Sequence, residues 1–142
     1  MFELNKITRA NIQRLKPYST ARDEFSGSDG VFLDANENPY GELNRYPDPY
    51  QQELKQAIKK NSNVDLKNIF VGNGSDEIID LLFRVFCNPS MDKAMTFSPT
   101  YGMYDVTANI NDIELIIIKL NEVFDIEYGG IEPYISDSNL KL

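Results

Sequence analysis

The chain has 142 residues, 42% of them hydrophobic and 25% charged, and a formal net charge of −8, a composition that fits one globular domain rather than a disordered or fibrous chain. The acidity argues against a sequence-independent grip on nucleic acid, which relies on basic patches, and Lys59-Lys60 is the only adjacent basic pair. One cysteine (Cys87) and no histidine exclude an intrachain disulfide and, in practice, zinc held by nitrogen and sulfur ligands.

Residues 1–30 read as an arm: Pro17, a Ser26–Gly30 cluster of small and polar residues, and a short helix near Ile7–Leu15. The start Met-Phe-Glu-Leu-Asn-Lys lacks the basic-then-apolar pattern of a secretory signal. Residues 31–60 are expected to form a small-domain or linker segment with one helix. Val31-Phe32-Leu33 runs into the turn-rich Asp34–Pro39, and Asn44–Pro49 is a second loop bounded by prolines. Pro49 suits the first position of a helix, along which Tyr50, Leu54, Ala57 and Ile58 share one face.

Residues 61–142 are expected to form the first part of a larger α/β domain. The pattern predicts strand 69–71, helix 76–87, strand 93–97, helix 101–110 and strand 113–118, the alternation of βαβ units in a parallel sheet. Within helix 76–87, Asp80 and Arg84 form a polar i, i+4 pair. A short helix over Ile131–Ile135 is followed by Leu140-Lys141-Leu142, which reads as the start of a strand. The longest aliphatic run, Leu115–Ile118, is far too short to span a bilayer. A cytoplasmic, membrane-free protein is expected.

Two loops carry the chemistry. Gly72-Asn73-Gly74-Ser75-Asp76-Glu77 joins a strand to a helix, where glycines and free helical N–H groups favour a phosphate. The same residues also serve as a plain turn whose acids favour the helix start. A phosphate there requires the Asp76 N–H, rather than its carboxylate, to face the ligand. Pro99-Thr100-Tyr101 follows the next strand, with Thr100 as helix cap. There Tyr101 is placed to lay its ring on a flat ligand beyond the carboxyl ends of the strands, or else simply covers a helix start.

Together these segments resemble the histidinol-phosphate aminotransferase family. The match lies in Leu33–Tyr40, Asn44-Arg45-Tyr46-Pro47, Gly72–Glu77, Pro99–Tyr104 and the arm residues Leu15–Ser19 with Ala21-Arg22. The resemblance implies a partial fold-type I α/β fold: the N-terminal arm plus the first βαβαβ part of the large domain that binds pyridoxal 5'-phosphate. It implies a homodimer that interconverts L-histidinol phosphate and 2-oxoglutarate with imidazole-acetol phosphate and glutamate, in histidine biosynthesis. It further implies that Gly74, Ser75 and Asp76 hold the cofactor phosphate and that Tyr101 stacks on its ring. Tyr46 would reach the phosphate of the neighbouring subunit, and Tyr18 and Asn36 would border the substrate.

None of the nine lysines sits in a segment resembling the family's Schiff-base lysine motif. The resemblance therefore implies an N-terminal portion that supplies no catalytic residue of its own and is inactive alone. Two alternatives stay open. One is another fold-type I enzyme acting on a phosphorylated amino acid, and the other is a non-catalytic phosphate-binding or dimerisation remnant.

Overall fold

A computed structural model of the chain describes residues 3–142 apart from Arg22, Ser28, Asn44, Tyr46 and Pro47. The fold divides into two compact units, Met1–Leu15 with Gly72–Leu142, and Lys16–Val71.

The first unit is a small parallel sheet with helices on both faces. Strands β1 (Lys93–Ser98) and β2 (Glu114–Lys119) pair in parallel, with Lys93 opposite Glu114 and Ser98 opposite Lys119. The three longer helices of the unit are α4 (Gly74–Phe86), α5 (Met103–Ile110) and α6 (Tyr128–Ile135). Each helix and strand predicted between residues 76 and 135 lies within a few residues of its expected place.

Three side chains of the α4 segment, Ile79, Phe83 and Cys87, recur at i, i+4 and i+8. That spacing puts them on one helical face, where they form the core with Ala94, Ala108 and Ile113. Burial pushes the Cys87 thiol up to about 11. On the other side of the sheet α6 packs against β2, and a side chain at Gly130 would meet Ile118 Cγ2 at 3.2 Å. Sequence patterning missed the first half of α6 because Gly129 and Gly130 are poor helix formers. Packing against β2 overrides that preference.

Beyond the expected Asp80–Arg84 pair at 2.7 Å, Asp80 also accepts the Asn111 side-chain N–H at 3.0 Å. The two hydrogen bonds, led by that of Arg84, hold the Asp80 carboxyl below its usual range. At the C-terminal end of α4, Arg9 Nη1 donates to the Arg84 carbonyl at 2.7 Å, and the Arg9 N–H donates to the Val85 carbonyl at 3.0 Å. A cation on the last carbonyls of a helix satisfies orphan acceptors and complements the dipole.

The predicted strand 69–71 is not a strand. Its first residue closes a short 3-10 turn, Leu66–Asn68, by donating its N–H to Leu66, and no ladder is formed by residues 69–71. The other side of β1 is taken by the chain's last residues. Lys93 N–H donates to Asn139, Lys141 N–H to Lys93 and Met95 N–H to Leu142, at 2.7–3.0 Å, with a parallel bridge between Lys93 and Leu140. The segment read as an incipient strand thus pairs as one, and the order is β2, β1, 140–142.

The expected single helix near 7–15 is two short turns, α1 (Leu4–Ile7) and α2 (Ala10–Gln13). In the second unit α3 spans Gln52–Ser62, so Pro49 precedes the helix instead of opening it. Asp48 takes over the start: its carboxylate accepts the N–H groups of Gln52 at 2.7 Å and Tyr50 at 2.8 Å, and these bonds lower its pKa. The Tyr50 hydroxyl donates to Asp23 at 2.5 Å, and Phe25 meets Phe32 edge-to-face at 5.7 Å. No described residue of this unit is buried.

Candidate functional site

The site is built at the carboxyl end of the sheet, where β1 leads into Tyr101 and the loop before α4 approaches it. Helix α4 begins earlier than its sequence pattern predicts, at Gly74, with Asn73 as its cap. Gly74 adopts φ +79°, a left-handed conformation that favours glycine. It donates its N–H back to the Gly72 carbonyl at 3.0 Å. A side chain added at Gly74 would meet nothing within 4 Å, so the space over the first turn is open. Gly72 differs: a Cβ there would lie 2.6 Å from Ile78 Cδ1 and 3.0 Å from Glu77 Oε2. Its role is internal packing rather than ligand approach.

The first N–H groups of a helix have no partner within it. Here the Gly74 amide is satisfied by Gly72, and the Asn73 amide donates to the Glu77 carboxylate. The Ser75 and Asp76 amides remain the orphan donors, and both residues are exposed. The Asp76 carboxylate has its own partner, accepting the Tyr101 hydroxyl at 3.4 Å, the long end of hydrogen bonding. That contact brings the two loops together as expected. It gives the acid a task other than facing an anion.

Tyr101 is 54% exposed, which leaves ring surface for a flat ligand. Thr100 is not the helix cap; α5 starts at Met103 behind Gly102, with no side-chain cap. Donation to Asp76 raises the Tyr101 pKa above its ordinary value of 10.0. The bond persists below the unfolded pKa and is lost as pH rises through the folded one. Tyr101 is expected to ionise above 10.0, and Asp76→Asn should lower that value; an unchanged ultraviolet phenolate titration in the variant would disprove the contact.

The open space over Gly74, two unpartnered amides and an exposed ring fit a group that carries a phosphate on a flat heterocycle. The remaining predicted residues lie in the second unit. Tyr18 is 88% exposed and Asn36 is exposed, while Tyr46 lies outside the described residues. The neighbouring Arg45 is ion-paired with Glu37. Sequence reading missed the Glu77 clamp on the loop; the signal was an acid just inside the helix, four residues after Asn73, a variant of the reciprocal half of the capping box.

Residues 28–141 match the family model for aminotransferase class I and II. The chain belongs to that family. Among curated relatives, the histidinol-phosphate aminotransferase of Cytophaga hutchinsonii is 51% identical over 92% of this chain and 39% of its own length. The Parabacteroides distasonis protein of that name is 52% identical over 92% of the chain and 38% of its own length. That of Flavobacterium johnsoniae is 55% identical over 99% and 41%. This member of the family thus spans about two fifths of the length of the curated relatives it matches.

A crystal structure from Burkholderia pseudomallei K96243, described as a candidate aminotransferase, superposes with a TM-score of 0.53 at 17% identity. It covers 76% of this chain and 37% of that one. At that identity the likeness bears on the fold, and it agrees with the partial α/β architecture. Among the described residues no helix is long and apolar enough to cross a membrane, and no acidic or cysteine cluster could hold a metal ion.

Proposed function

We propose that this aminotransferase chain contributes the cofactor-phosphate loop and the ring-stacking tyrosine of a histidinol-phosphate aminotransferase. The observation that carries the proposal is identity of 51–55% to curated enzymes of that name across almost the whole chain. The geometry of the first unit supports it. In this reading the Ser75 and Asp76 amides, at the positive end of α4, receive the phosphate of pyridoxal 5'-phosphate. Gly74 keeps the approach open, and Tyr101 lies against the ring with its hydroxyl held by Asp76.

When bound, the cofactor supplies the electron-withdrawing ring through which an amino group is exchanged. The chain's own part is to bind and orient. Tyr46 would reach the phosphate of a second subunit in a homodimer, and Tyr18 and Asn36 would border the substrate. The substrates would be L-histidinol phosphate and 2-oxoglutarate, and the setting cytoplasmic.

A substrate panel tests the proposal. The chain is assembled with the part of the Cytophaga hutchinsonii enzyme that it does not match, and amino donors are compared with 2-oxoglutarate as acceptor. Histidinol phosphate is expected to give the highest kcat/KM. An assembly that prefers a donor lacking phosphate would overturn the assignment while leaving the family intact.

A further inference from the structure

We infer that Glu77 is a positioning residue for the phosphate loop: its carboxylate ties down the Asn73 amide, so that only the Ser75 and Asp76 amides are presented outward. The inference rests on the reading of Gly72–Asp76 as an anion loop and deepens it. Three observations carry it. The Glu77 carboxylate accepts the Asn73 N–H across one turn of α4. Its Oε2 occupies the space 3.0 Å from where a Cβ at Gly72 would be. The Asn73 side chain supplies no cap of its own, so among the described residues the Glu77 carboxylate is the side-chain acceptor that holds the loop's backbone N–H at this end of the helix.

By charge alone the arrangement is paradoxical, since an acid beside an anion site repels the ligand. Its geometry resolves this. A carboxylate already facing an N–H at the rear of the loop directs less charge outward, and it fixes the backbone that aims the next two amides. Without it, the Asn73–Gly74 segment is free to turn, Gly74 being at a positive φ that no side chain restrains. Gly72 then has a defined purpose as well. It is glycine because Glu77 and Ile78 need its side-chain space, and it serves the anion only indirectly.

The test uses the full chain, with inorganic phosphate as probe and the backbone amide resonances of Ser75 and Asp76 as readout. Glu77→Gln and Glu77→Ala both remove the charge, but only glutamine keeps an oxygen that accepts the Asn73 N–H. The ratio of their dissociation constants therefore isolates the hydrogen bond from the electrostatics. Phosphate is expected to bind Glu77→Ala about fivefold more weakly than Glu77→Gln, the scale of one lost hydrogen bond. The Asn73 amide should exchange faster with solvent in the alanine variant alone. Gly72→Ala, which crowds Glu77 without removing it, should weaken phosphate in the same direction.

Equal phosphate affinity in the glutamine and alanine variants would overturn the inference, as would tighter binding by alanine than by glutamine. If the Ser75 and Asp76 amides of the unsubstituted chain do not respond to phosphate, the anion-loop reading itself falls, and the inference with it. If they respond but Glu77→Ala matches Glu77→Gln, only the positioning role falls.

Discussion

The 142-residue chain by itself is expected to give no measurable transamination between histidinol phosphate and 2-oxoglutarate, and to give it when supplied with the part of a relative that it does not match. The reason is the inventory at the carboxyl end of the sheet. Two amides and one ring position a cofactor, but exchange of an amino group also needs a nucleophilic amine held at defined geometry and an acid beside the ring nitrogen. All nine lysines are among the described residues. Lys93 begins β1 at the opposite end of the sheet, bound to Asp137 at 3.1 Å, and that contact raises its pKa. An amine held in its charged form is a poor nucleophile.

Lys119 does end β2 opposite Ser98, near the site's end of the sheet. It is exposed, and among the described residues no hydrogen bond or ion pair fixes it. It can meet an aldehyde by collision, but nothing orients it. The check is a coupled assay for glutamate formation with and without the complementary polypeptide. Turnover by the isolated chain that is lost in Lys119→Ala would show that the site needs nothing further.

Phe83→Ala is expected to unfold the first unit. Phe83 is 3% exposed in the middle of the α4 face that packs on Ala94, Ala108 and Ile113. Removing a buried phenylalanine costs about 3–5 kcal/mol, from lost transfer energy and the cavity left behind. Ordinary domains have only about 5–15 kcal/mol to lose, and the buried hydrophobic set here is small: Ile79, Phe83, Cys87, Ala94, Ala108, Ile113 and Ile116.

The loss would reach the site as well, because α4 carries both the Ser75 and Asp76 amides and the carboxylate that meets Tyr101. Far-ultraviolet circular dichroism through a urea titration should show a cooperative transition in the unsubstituted chain and none in the variant. Leu82→Ala is the matched control, since Leu82 lies on the same helix but is 41% exposed, and it should change the midpoint far less. Equal shifts for the two variants would mean that the Phe83 cluster is not the core.

What the sequence alone determined here is local. The apolar run over 76–87 specified α4, though not which of its faces is buried, and short apolar segments specified β1 and the β-branched β2, because period and side-chain shape act over a few residues. The order of motifs also disclosed the family. The tertiary structure decided what depends on distant partners. Residues 69–71 (Ile-Phe-Val) are more apolar than 140–142 (Leu-Lys-Leu), yet of the two only the latter forms a ladder, because pairing depends on which donors and acceptors arrive beside a strand. Gly129 and Gly130 lie in the first turn of α6, where Gly130 comes against Ile118 of β2, so the helix forms there against their intrinsic preference. Asp76 looked like an obstacle to an anion until Tyr101, 25 residues away, was placed against its carboxylate. A carboxylate's direction is set by the partner it finds in space, and neighbours in sequence do not specify that partner.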